Sequence, residues 1–196
     1  MSAWRDTPTL VGRHVTLRPL ADDDLPALVE AARADDLWDI FYASVSQLKH
    51  ADRWLAAARA DEAAGRALLF AVALPDGKVV GTTRLMRMNE AHRRLDVGGT
   101  FYATRVQRTG VNTEAKLLLF GHAFDLLDCR SVQIRTDALN RRSQAAIERI
   151  GAKRDGVLRN HQISEGRLRD TVVYSVLDRE WPGVRQNLHH LLAKHR

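Results

Sequence analysis

The residues best suited to chemistry form one run, Gln107-Arg108-Thr109-Gly110-Val111-Asn112-Thr113-Glu114-Ala115-Lys116. A glycine-bearing turn that feeds a helix leaves the first N–H groups of that helix without intrahelical partners. The aligned peptide dipoles add positive potential at the same end. Phosphate or diphosphate oxygens fit such a terminus. Arg105 and Arg108 would add charge-assisted contacts. Read alone, the same residues also make an ordinary turn and helix cap. Asp137 could accept a proton or cap the helix that follows it, and Asn140 could cap the same helix. Cys129 sits at a helix end with no base beside it and reads as an inert thiol. The eight histidines are scattered without metal-ligand spacing, and His122 falls near an apolar helix face, as a core histidine does.

Positioning these residues requires an alternation of strands and helices. Leu10 to Leu20 alternates apolar and polar side chains and predicts a first strand. Asp22, Asp23 and Asp24 supply a cap for a helix carrying Leu25, Leu28, Val29 and Ala32 on one face, and a second helical segment begins at Ser46. Ala67 to Leu74, the turn Pro75-Asp76-Gly77-Lys78, and Val79 to Arg87 predict a hairpin. Arg94 to Tyr102 predicts a third strand of this group, with Gly98-Gly99 marking a bulge or a close backbone approach. Residues 112–128 carry apolar side chains at helical spacing, and Val132 to Thr136 reads as a short strand. A helix from Asn140 ends at Gly151. A late hairpin joins Gly156–Ile163 to Leu168–Leu177 around Glu165-Gly166, and Pro182 opens a terminal helix. The pattern predicts one α+β domain over residues 1–196, with a mixed, mostly antiparallel sheet of about seven strands flanked by helices and one parallel crossover.

Composition narrows the function. Hydrophobic residues make up 45% of the 196 and charged residues 28%, which excludes a disordered chain. The longest apolar run, Ala67 to Leu74, is too short to span a bilayer, and Met1 to Thr9 has no apolar signal core, so the chain reads as soluble and cytoplasmic with no membrane partner. A single cysteine excludes internal disulfides and cysteine metal clusters, and no metal is expected. Thirty basic against 24 acidic residues leaves +6, which favours an anionic partner. A basic RNA- or ribosome-associated module would share that charge. Aromatics at 6%, the dispersal of the basic residues among acids, and the lack of any zinc-finger or RNA-recognition strand motif argue against nucleic acid. A homodimer is left open.

The turn and its helix resemble the acetyl-CoA-binding signature of the GCN5-related N-acetyltransferases, Gln/Arg-x-x-Gly-x-Gly/Ala, here Gln107-x-x-Gly110-x-Asn112. The family's downstream element follows as Asn140, Ser143 and Gly151. Asn-Thr-Glu-Ala-Lys with Asn-x-x-Ser looks most like the RimJ/RimL-like branch, which acts on ribosomal-protein N-termini. The resemblance spans residues 10–180 and implies the family's fold. It also implies direct attack of an amine on the thioester of acetyl-CoA, with the diphosphate held by Gln107, Arg108, Thr109, Gly110, Val111, Asn112 and Thr113. The pantetheine arm would lie between the strands at residues 99–102 and 132–136. Backbone groups of Phe101 and Tyr102 would pair with that arm and polarise the thioester carbonyl. Two residues depart from the pattern: Asn112 replaces Gly or Ala, and Ile147 replaces a tyrosine that protonates the departing thiolate in many members. Ser143, one turn past Asn140, is the replacement acid or else a serine bonded to local backbone. Asn140 would bond the pantetheine amide or cap its helix.

Asp137 is the one base suggested by position. An α-amine of pKa ~7.8 is roughly 14% neutral at pH 7 against roughly 0.04% for a lysine of pKa ~10.4, so a base-poor sequence suits an N-terminal or small-molecule amine. An antibiotic or polyamine acceptor is the alternative with the same chemistry. Trp38, Phe41 and Tyr42, at i, i+3 and i+4, would share a helix face and either pack in the core or line the acceptor pocket.

Overall fold

In the computed structural model, which describes residues 3–164 and 166–195, eight strands make one sheet. They are β1 (Leu10–Val11), β2 (Thr16–Pro19), β3 (Ala67–Ala73), β4 (Val79–Asn89), β5 (Arg94–Tyr102), β6 (Ser131–Asp137), β7 (Lys153–Ser164) and β8 (Arg167–Leu177). Across the sheet the order is β1-β2-β3-β4-β5-β6-β8-β7. Every pair is antiparallel except β5 with β6. The α-helices are α1 (Leu25–Arg33), α2 (Ala51–Ala63), α3 (Gly110–Gly121), α4 (Arg141–Arg149) and α5 (Trp181–Ala193). Glu165, expected in the β7–β8 turn, lies outside the described residues.

The mixed, mostly antiparallel sheet matches the sequence reading, and three details correct it. The stretch Leu10 to Leu20 is two strands, because the chain turns at Gly12, whose N–H bonds Val15 O at 2.9 Å. The segment after Ser46 begins as a 3-10 turn over Ser44–His50 and becomes α-helical at Ala51. The long helix starts two residues earlier than the apolar spacing suggested and loses α geometry at His122, where a π-helical turn covers His122–Leu126.

The parallel ladder is short. Arg94, Leu95 and Asp96 pair with Ser131, Val132 and Gln133, and beyond them β5 and β6 diverge. The cause lies on the other side of β5. Its register against β4 slips between the Thr82–Phe101 and Arg84–Gly98 pairs, so Gly99 and Thr100 both oppose Thr83. Gly99 takes φ +57°, a conformation that an L side chain rarely adopts. The bulge bends β5 away from β6 and opens the sheet.

The two faces beside this opening are covered differently. Arg84 meets the Trp54 ring of α2 at 4.5 Å, whereas Thr83 bonds Thr100, which in turn is 3.4 Å from Lys116 of α3. Adjacent strand residues point to opposite faces, so α2 and α3 sit on opposite sides. The core beneath includes fully buried Phe70, Leu69, Leu85, Phe120 and Tyr174.

Glu114 fixes α3 against the N-terminal hairpin. Its buried carboxylate accepts the N–H groups of Arg13, His14 and Val15 at 2.9, 2.5 and 2.9 Å. Removing that acceptor leaves three donors without their partner. Glu114→Ala should therefore lower unfolding free energy by about 2 to 4 kcal/mol in urea titration, with the m value unchanged. A loss below about 0.5 kcal/mol, the size of an ordinary surface substitution, would contradict this role.

Candidate active site

A cavity of about 840 Å³ fills the opening, with Val97 to Tyr102 of β5 on one wall and Ile134 to Asp137 of β6 on the other. Thr109 caps α3 at its mouth: its hydroxyl donates to Val106 O at 2.6 Å and accepts from Val111 N at 3.3 Å. The N–H groups of Gly110 and Asn112 precede the first i→i−4 bonds of the helix and stand ready for a ligand.

The expected phosphate run divides into two sets. Gln107, Arg108, Thr109 and Asn112 line the cavity, joined by Lys116, Arg142 and Arg149. Val111 and Thr113 turn inward, at 4% and 0% exposure, and Thr113 Oγ1 accepts from Arg149 at 3.1 Å. A Cβ on Gly110 would meet the His14 ring at 3.0 Å, so this glycine is needed for packing against the hairpin rather than for close approach to the cavity. Each residue of Asn-Thr-Glu-Ala-Lys thus has a distinct place: Asn112 and Lys116 at the cavity, Thr113 against α4, Glu114 on the hairpin and Ala115 in the core. Arg105 is exposed, and of the additional cations Lys116 comes from α3 and Arg142 and Arg149 from α4.

Gln107 braces the mouth. Its Nε2 donates to Tyr102 O at 2.8 Å and its Oε1 accepts from Arg142, tying β5 to α4. The Phe101 carbonyl is turned to β4, where a Cβ on Gly81 would meet it at 2.2 Å, so the trans peptide turns the Tyr102 N–H toward the opening. Of the two residues whose backbone was expected to face a ligand, Tyr102 directs its N–H to the opening and Phe101 directs its carbonyl to β4. Burial pushes the Tyr102 phenol well above its ordinary value, and it stays protonated.

Asn140 caps α4, with Oδ1 accepting Ser143 N at 2.9 Å. Its amide nitrogen has no hydrogen-bond partner among the described residues. Ser143 lines the cavity and is half-buried, and its hydroxyl has no protein partner among the described residues. Ile147, at the position of the family's tyrosine, is apolar wall. Asp137 also borders the cavity, but its carboxylate accepts Leu139 N at 2.9 Å and contacts Arg167 and, at 3.6 Å, Arg169. These contacts show a carboxylate held in the helix cap and in ion pairs with two arginines, the capping side of the expectation. Cys129 is buried, and burial with nearby Asp128 pushes its thiol up to about 12.

The aromatic trio does not share a helix face. The 3-10 turn Ala34–Asp39 ends before Phe41 and Tyr42, because the chain leaves helical geometry at Ile40. Trp38 packs against the core, Phe41 is 52% exposed beside the Arg167 guanidinium, and Tyr42 alone lines the cavity. Sequence reasoning gave no site role to Trp54, Arg84 and His161 and took Lys116 only as the end of the chemistry-bearing run; all four line the same cavity. Lys116 carried a signal in its i+4 spacing from Asn112; Arg84 and His161 carried none. His161 Nδ1 lies 3.0 Å from Thr171 Oγ1, and desolvation, followed by Arg135, Arg87 and Arg169, holds its imidazole below the ordinary value and neutral.

An opening through the plane of the sheet, beside a cationic helix N-terminus, has the shape and charge to suit a long anionic ligand. Residues 14–153 match the family described as Acetyltransferase (GNAT) domain, and the chain belongs to that family. A protein of Bacillus subtilis (strain 168) named as ribosomal N-acetyltransferase YdaF is 33% identical over 110 residues, 56% of this chain and 60% of that relative's length. The crystal structure of a GCN5-related N-acetyltransferase from Brucella melitensis superposes with a TM-score of 0.84 at 29% identity, covering 95% of this chain and 86% of that one. Mycobacterium smegmatis RimJ in complex with CoA-disulfide shares the fold, with a TM-score of 0.78 at 22% identity, covering 98% of this chain and 97% of that one.

Lys116 gives the site a measurable signature. Burial pushes its ammonium down to about 8 from 10.5. Below pH 8 the group is charged in both states and its burial opposes folding. Between about pH 8 and 10.5 the folded state has released the proton while the unfolded chain still holds it, so this lysine makes stability rise with pH. Lys116→Met should stabilise the protein at pH 7 by on the order of 3 kcal/mol, and the gain should shrink across that window. A gain independent of pH, in chemical denaturation of the two proteins side by side, would contradict the assignment.

Proposed function

We propose that this protein transfers the acetyl group of acetyl-CoA to a primary amine of low pKa, an N-terminal α-amine of a protein or a small-molecule amine. The observation that carries this reading is the opening between β5 and β6, continuous with the α3 N-terminus. Backbone N–H groups at Gly110 and Asn112, with Arg108, Arg142 and Arg149, suit a diphosphate. The Tyr102 N–H and the Asn140 amide suit the amides of the pantetheine arm. The residues present therefore fit CoA, whose thioester supplies the activated acetyl group.

The amine attacks the thioester carbon and displaces the thiolate. Ser143, which lines the cavity, would deliver a proton to the departing sulfur, directly or through a water, in place of the tyrosine missing at Ile147. His161, one of two histidines lining the cavity, has its imidazole held below the ordinary value and would take the amine's proton. A weak base of this kind suffices for an α-amine and not for an ordinary lysine. A ribosomal acceptor is suggested by the name of the B. subtilis relative, and a protein N-terminus by the RimJ/RimL-like resemblance of the sequence.

Thiol release from acetyl-CoA with a peptide N-terminal amine, followed across pH, tests the proposal. The rate should plateau by about pH 8 to 9, and Ser143→Ala should lower turnover at least about tenfold while the acetyl-CoA dissociation constant stays nearly constant. A rate still rising toward pH 10 would contradict the low-pKa acceptor. Equal losses in binding and turnover would make Ser143 a positioning residue, and no thiol release with any amine would remove the function.

A further inference from the structure

Arg84 is a buried cation at the cavity with no carboxylate partner among the described residues. Arg84 is 8% exposed and lines the cavity, and its Nε and Nη2 have no hydrogen-bond partner among the described residues. Its guanidinium lies on the Trp54 ring, and it packs so closely on the bulge that a Cβ at Gly99 would come within 3.1 Å of its Cδ. Asp61, the acid that acts on it through space, is already paired with Arg66 at 2.8 Å.

The neighbouring charges add to the surplus. Arg87 and Arg135 share Asp96, each at 3.0 Å, and Arg169 shares Asp137 with Arg167. Both carboxylates on this wall are therefore already shared between two arginines, leaving neither for Arg84. A buried guanidinium with unmade bonds is costly unless a ligand completes it. Arg84 lies on the α2 face of the sheet, opposite α3.

We propose that Arg84 receives a carboxylate carried by the acceptor, so that the preferred substrate is an amine with an acidic group close to it. This deepens the proposed acetyl transfer and rests on it for the identity of the ligand as acceptor. The stacked, planar guanidinium is preorganised for a carboxylate. The same surplus of positive charge repels a polyamine.

The test compares the binding of two tetrapeptides to the CoA-saturated protein by calorimetry, one with glutamate at its second position and one with glutamine there. Free glutamate and glutamine form a parallel pair that distinguishes a free amino acid from a peptide as the source of the carboxylate. In at least one pair the acid should bind about tenfold or more tightly than its amide. The preference should fall toward unity in Arg84→Gln, return in part in Arg84→Lys, and weaken with salt. Equal binding within both pairs in the native protein, or a preference that survives Arg84→Gln, would overturn the proposal. If Arg84→Gln does not fold, the native comparison and its salt dependence decide. Thiol release measured on the same peptides separates the two readings, since a binding preference without acetyl transfer retains the anion site and removes only the reaction.

Discussion

The parallel pairing of β5 with β6 lasts three residues, and the rest of the site depends on its ending there. A continuous ladder would leave no room in the sheet for a ligand and no free backbone donors along β5. The bulge at Gly99 ends it by placing two residues of β5 opposite one of β4. Gln107 then holds the far end of β5 to α4, which fixes the width of the gap. The helix terminus to which the proposed function assigns the diphosphate is held by Glu114, whose carboxylate joins α3 to the first hairpin.

Around this gap the protein keeps charges that folding alone would not favour. Lys116 and Arg84 are both buried cations without a carboxylate partner among the described residues, one on each side of the sheet. Away from the gap, buried carboxylates among the described residues are satisfied, as in the two-bond contact of Arg18 with Asp24, which also accepts Ala21 N–H, and in the three N–H bonds to Glu114. Burial without pairing concentrates where an anionic ligand would enter, a distribution expected of a functional site and costly for stability.

Much of this was legible in the sequence because the relevant signals are local. Gly98-Gly99 inside a strand marked the bulge, and Asn140 and Gly151 bounded a helix whose cap and φ of +100° follow the expected geometry. Gly110 marked the correct turn for a different reason, since its lost Cβ makes room for His14, about a hundred residues earlier in sequence. The contacts of Glu114, Arg84 and Asp137 all join residues distant in sequence, and no local pattern announces them. The spacing of Trp38, Phe41 and Tyr42 misled because the chain leaves helical geometry at Ile40, where tertiary packing overrides the three-and-four periodicity.

Amide hydrogen exchange with and without acetyl-CoA tests the central claim most directly. If acetyl-CoA occupies the gap between β5 and β6, protection should rise at residues 99–102 and 107–113, and at 134–137 on the facing strand, with little change in β2, β3 or α5. Protection confined to another surface, or none at saturating acetyl-CoA, would contradict the account.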